Sequence, residues 1–266
     1  MFHRPVVAWR RYWYGSAVTA VVVAATVLFA SFAMGLTGFG FGLIAMGAFP
    51  FLMSVAEANA IVLVLAFVVC VIGVVPVRRS IRFDVLWPVF IGSAVGVPLG
   101  VIYLVELNET VLRISLGVVL LLALAGEFIG RRRPRTAGTV MLASGTGARL
   151  AGVGIGVLSG AFGGAFSVGG PPIVLYLNGQ LEEKTQIKAS LLLFFIVNVS
   201  FRAPLFALSG VITVETLLLS LWALPTLIVG LAAGSMLHNR LDSGIVRRMI
   251  QILLVVSAAM MILNAV

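Results

Sequence analysis

Long apolar runs alternate with short polar gaps along the whole chain. Uninterrupted apolar stretches cover Ala17–Met34, Ala60–Val77, Val85–Val105, Val111–Ala125, Ala189–Val199, Leu217–Leu237 and Met249–Leu263. A bilayer core about 30 Å thick takes roughly 20 helical residues to cross. Backbone groups in lipid need internal partners, and the chain has none of the short alternating segments that build a barrel. The pattern predicts an all-α, polytopic membrane protein. The span count is roughly eight to ten, depending on whether two glycine-broken segments cross once or twice.

Composition agrees with the pattern. Hydrophobic residues make up 61% and charged residues 10%, with a mean hydropathy of +1.17; a soluble domain carries about 25% charged residues. The net charge of +9 and pI near 11.0 come from basic residues in the gaps: Arg78, Arg79 and Arg82, then Arg131, Arg132, Arg133, Arg135 and Arg149, then Arg240, Arg247 and Arg248. Short Lys/Arg-rich loops mark the cytoplasmic side of a membrane protein. They do not form the continuous basic footprint of a nucleic-acid binder. Residues 1–15 read as a basic, aromatic flank ahead of an uncleaved first helix, with Trp and Tyr at the interface.

Counting also removes several chemistries. The chain has one cysteine, Cys70, and two distant histidines, His3 and His238. No internal disulfide, metal centre or cofactor is expected from such a set. No nucleophile stands with a base in the pattern a catalytic site needs, so an enzyme is not expected. No phosphate-binding loop points to ATP as the direct energy source.

Self-comparison finds a repeat. "SFAMGLTGFGFG" (Ser31–Gly42) lies over "SGAFGGAFSVGG" (Ser159–Gly170), and "IRFDVL" (Ile81–Leu86) lies over "ITVETL" (Ile212–Leu217). Gly96 and Gly100 lie over Gly230 and Gly234. Four landmarks thus recur in one order. The chain divides into repeat 1 at 16–130, a basic cytoplasmic linker at 131–146 containing "RRRPR", and repeat 2 at 147–266. The distribution of basic loops fits inverted repeats, although that arrangement leaves Arg4, Arg10 and Arg11 on the outer side.

The most informative stretches are "GLTGFGFGLIAMGAFP" (Gly35–Pro50) and "GAFGGAFSVGGPP" (Gly160–Pro172). Glycine and proline cost a helix about 1 and 3 kcal/mol relative to alanine. Two such breaks at matching places in two halves point to a transporter's binding site. A broken helix exposes an N-terminal end whose free N–H groups and dipole suit an anion. Thr37, Gly38, Gly40 and Gly42 in the first half are the candidate binding positions. Ser167, Gly169, Gly170, Pro171 and Pro172 are their counterparts in the second. Close helix packing is the competing explanation, and Gly35, Gly96/Gly100 and Gly230/Gly234 fit packing alone.

Polar residues inside the span "KASLLLFFIVNVSFRAPLFALSG" (Lys188–Gly210) add side-chain candidates. Asn198 and Arg202 are four apart and share a helical face. An arginine within a span usually faces the bundle interior or a water-filled cavity; the alternative is that Arg202 snorkels to an interface near Ser209. Asn59 and Lys188 align between the repeats and, with Gln186, mark a candidate path, although Lys188 also reads as a solvated loop-end residue. Glu127 reads either as a proton-coupling carboxylate or as an interfacial ion-pair partner. Glu109 and Arg113 have the i,i+4 spacing of a helix-end pair.

At "GAFSVGGPPIVLYL" the chain resembles the TauE/SafE family of sulfite-exporter-like membrane proteins, and the glycines of Gly38–Pro50 with the two-repeat length extend the resemblance over nearly the whole chain. The first repeat departs from it, with "GFGFG" where members often show consecutive glycines. The resemblance implies a bacterial inner-membrane carrier of small sulfur-containing or organic anions such as sulfite or sulfonates. The expected function is therefore a secondary transporter, an exporter working by alternating access, with an anion channel as the alternative. Expected partners are the anionic substrate, membrane lipid, a coupling proton or sodium ion, and a second copy in a homodimer.

Overall fold

The computed structural model describes residues 17–132 and 146–237, with four positions beyond them: Gln251, Val255, Ala258 and Ala259. The described residues form nine α-helices and contain no strand. These are α1 (Ala17–Thr37), α2 (Phe41–Ala48), α3 (Val55–Val74), α4 (Phe83–Glu106), α5 (Glu109–Arg132), α6 (Thr146–Phe166), α7 (Gly170–Gln180), α8 (Lys184–Leu208) and α9 (Val214–Leu237). Short 3₁₀ turns follow α2 at Phe49–Phe51 and α3 at Val75–Ser80.

Six helices among the described residues are long and apolar enough to cross a membrane: α1, α3, α4, α6, α8 and α9. That is fewer than the eight to ten spans read from the sequence. Each glycine-broken element supplies one long helix and one short one, α2 after α1 and α7 after α6. α5 has 24 residues, but its side chains from residue 126 onward lie outside the described residues, as does most of the run Met249–Leu263. The expectations for the 1–15 flank, residues 133–145, Glu127, His3 and His238 also fall there.

Local sequence accounts for the helix starts. Ser54 and Glu57 form a capping box: the Glu57 N–H donates to Ser54 Oγ at 3.2 Å and the Ser54 N–H to Glu57 Oε2 at 3.1 Å. This satisfies two free donors at the start of α3. Glu109 accepts from Arg113 Nε at 2.9 Å and from the Val55 N–H at 3.1 Å, joining the starts of α5 and α3. Pro171 and Pro172 sit in the first turn of α7, where missing N–H groups cost little.

Packing crosses the two halves. α4 runs along α6, and α9 runs along α1; these are the two most extensive helix contacts. Both use the same glycine pairs. A Cβ on Gly96 or Gly100 would lie 2.1 Å from Val157 O or 2.2 Å from Ala161 O. A Cβ on Gly230 or Gly234 would lie 2.4 Å from Leu28 O or 2.1 Å from Phe32 O. Only glycine lets the backbones come this close, which is how membrane helices gain dispersion energy without a solvent-driven force. Gly234→Val is expected to force α9 off α1 and cost about 2 kcal/mol, the usual scale of overpacking; unfolding titrations in mixed micelles measure it.

Candidate functional site

The broken elements bring two helix N-termini and a set of polar side chains to one place. α1 ends at Thr37, and the chain then turns through Gly38 (φ 82°) and Gly40 (φ 101°) into α2. L-residues rarely adopt either angle, so glycine is required there. α6 ends at Phe166 and turns through Ser167, whose φ of 57° makes it the one non-glycine residue with positive φ among those described. Strain of this kind persists only where the surroundings impose it. Here the Ser167 hydroxyl donates to Asn59 Oδ1 and accepts from Arg202 Nη1 at 2.8 Å.

Arg202 is the centre of the cluster. It is 1% exposed, the largest of the fully buried side chains, and lies in α8. This resolves the two readings of its position, because its guanidinium faces the interior and not an interface. Nη1 donates to the Gly163 carbonyl, to Ser167 Oγ and to Asn59 Oδ1, the last at 3.3 Å. The guanidinium carbon lies 5.3 Å from the ring centre of Phe206, one turn on. Nε has no hydrogen-bond partner. Among the described residues these partners are an amide, a hydroxyl, a carbonyl and a ring, and none is a carboxylate.

A cavity of about 40 Å³ opens beside this cluster. One water needs roughly 10–15 Å³ on that scale, so the space suits a few waters or one small anion. Arg202, Asn198 and Ser167 form its polar side, while Met34, Cys70 and Phe195 contribute to its apolar wall. Arg202 is the one charged residue on the wall among those described. Both short helices begin at the cavity: Gly40 and Gly42 for α2, Gly169 and Gly170 for α7. Each N-terminus carries about half a positive charge. The first turn of α2 has all its N–H groups, whereas Pro171 and Pro172 remove two from α7, so α2 offers the fuller set of donors.

The sequence-predicted positions therefore divide. Gly40, Gly42, Ser167, Gly169, Gly170, Asn198 and Arg202 lie on the cavity. Thr37 instead closes the end of α1, with Oγ1 donating to Ala33 O at 2.8 Å and accepting from the Phe39 N–H at 3.3 Å. Gly38 packs on the Lys188 stem, while Pro171 and Pro172 shape the start of α7. The three path residues have different surroundings. Asn59 is fully buried within the Arg202 cluster, Lys188 is half-buried against α1, and Gln186 accepts from Arg82 Nη1 at 3.4 Å. A solvated position for Lys188 is thus corrected: its Nζ donates to Gly35 O at 2.8 Å.

Sequence reading did not single out Ser93, whose hydroxyl accepts from Asn198 Nδ2 at 3.3 Å and is fully buried in α4. Its one signal was a polar residue within "IGSAVG", among small residues that pack helices. Cys70, which sequence reading only counted, is fully buried and lies on the cavity wall.

Six membrane-length helices among the described residues, with a cavity at the two interrupted elements, mark a multi-pass membrane protein. Residues 23–261 match the family described as Sulfite exporter TauE/SafE, nearly the whole chain, and the protein belongs to that family. Membership makes it a membrane transporter of the sulfite-exporter, anion-carrying type. No curated protein and no solved structure matches the chain.

Proposed function

We propose that the chain is a secondary transporter that exports a small anion, such as sulfite, a sulfonate or another organic anion, across the bacterial cytoplasmic membrane by alternating access at the cavity. The observation that carries this reading is Arg202. A buried guanidinium without a carboxylate is costly, and a cavity beside it gives an anion the place to compensate it. The N-termini of α2 and α7 add positive potential on the same space.

In this reading the two halves, 16–130 and 147–266, are structural repeats. Their reciprocal packing supports it: Val157 and Ala161 meet Gly96 and Gly100 where Leu28 and Phe32 meet Gly230 and Gly234. Gly42 of the first half also abuts Ser167 of the second, so movement of one half relative to the other alters the cavity.

Uptake of labelled sulfite into proteoliposomes tests the function. Saturable flux with counterflow, in which unlabelled anion on the far side accelerates exchange, is the expected result. Current that rises linearly with anion concentration and no counterflow would establish a channel in its place.

A further inference from the structure

The interrupted helices also have carbonyl ends, and these are closed in an unusual way. The last carbonyls of a helix have no partner within it and carry about half a negative charge. At the end of α6, Gly163 O accepts from the Ser167 N–H at 2.9 Å and from Arg202, while Asn59 Nδ2 donates to Gly164 O at 3.3 Å and to Ala165 O at 2.8 Å. At the end of α1, Met34 O accepts from the Gly38 N–H at 2.8 Å, and Gly35 O accepts from Lys188 Nζ. Asn59 and Lys188 are 129 residues apart, and so are the carbonyls they close, Gly35 and Gly164. Each closing group comes from the opposite half. Each carbonyl end therefore carries one protein-borne cation, Arg202 on α6 and Lys188 on α1.

Broken-helix carriers use such ends and the unwound carbonyls beside them to coordinate a coupling sodium ion or proton. Here the ammonium at the end of α1 already supplies the charge that a dissolved cation would bring. Its stem is seated as well: the Lys188 Cγ packs on Gly38, where a Cβ would lie 2.7 Å away. Resting on the transporter reading above, we propose that Lys188 is the resident cation of the α1 carbonyl end and that it takes the place of a sodium ion, so that the protein has no sodium site there.

The test is thermal unfolding of the purified full chain in detergent, in sodium chloride against choline chloride at equal ionic strength. Wild type and Lys188→Arg are expected to melt alike in both salts. Lys188→Met keeps the stem but loses the charge; it is expected to melt lower in choline and to recover about half of the loss in sodium, as a newly exposed cation seat would by linkage. A sodium-dependent rise in wild type overturns the proposal, and this arm decides it even if Lys188→Met does not fold. A Met variant that melts like wild type, or one whose loss sodium leaves unrepaired, also overturns it. None of these readings depends on flux, so absence of sulfite transport would overturn the functional reading alone.

Discussion

Arg202→Gln is expected to lower sulfite flux by about 100-fold while leaving the protein folded. A hydrogen bond to a charged group contributes about 1.5–3 kcal/mol, and each 1.36 kcal/mol is about tenfold in rate. Loss of the guanidinium removes the one charge on the cavity wall among the described residues, together with the donors an anion would use. The fold has less reason to suffer. Gly163 O keeps its bond from the Ser167 N–H, and Asn59 still closes Gly164 and Ala165. A neutral amide also escapes the desolvation cost of a buried cation, so unfolding should shift little in either direction. Arg202→Lys should fall between the two, since an ammonium keeps the charge but lacks the planar fork that reaches several acceptors at once. Initial rates in proteoliposomes, paired with melting curves of the same preparations, check the series. Full flux from Arg202→Gln would remove the residue from the site.

Gly42→Ala is expected to abolish flux and to destabilise the protein by about 3 kcal/mol, at the upper end of overpacking. Its Cβ would lie 2.1 Å from Ser167 O. That neighbour is backbone, held by the strained turn and its contacts with Asn59 and Arg202, so it cannot swing aside as a side-chain tip would. The first turn of α2 would have to retreat from α7, spreading the cavity and separating the two N-termini. Gly154→Ala is the matched control: it lies in α6 with nothing within 4 Å of a built Cβ, and alanine improves a helix interior by about 1 kcal/mol. The same flux and melting measurements distinguish the two variants.

Most of the architecture was legible because it is written in local signals. Apolar run length identifies membrane helices. The glycine clusters and the double proline after Gly170 mark where helices break and start. Asn198 and Arg202 share the cavity because helical spacing alone puts them on one face. The cluster around Arg202 was less legible, since Asn59, Ser167 and Gly163 meet it from other helices; Asn59 and Ser167 alone are separated by 108 residues. Span mouths and span interiors look alike in sequence too. Asn59 and Lys188 each stand near the start of a helix, where solvent is the default surrounding. Folding instead brings the carbonyl end of a broken helix against each. Thr37 was likewise ambiguous: a hydroxyl beside a glycine turn serves a ligand or its own backbone, and here it does the latter.

One property of the cavity has a practical consequence. Cys70 is the only thiol in the chain, and it lies on the wall of the chamber, fully buried. The unmodified protein thus carries a single built-in reporter on the wall of that chamber. On the proposed alternating-access reading, a membrane-impermeant alkylating probe applied from one face of a sealed vesicle reaches it by the solute's route, so its labelling kinetics time how often that face opens, without an engineered residue.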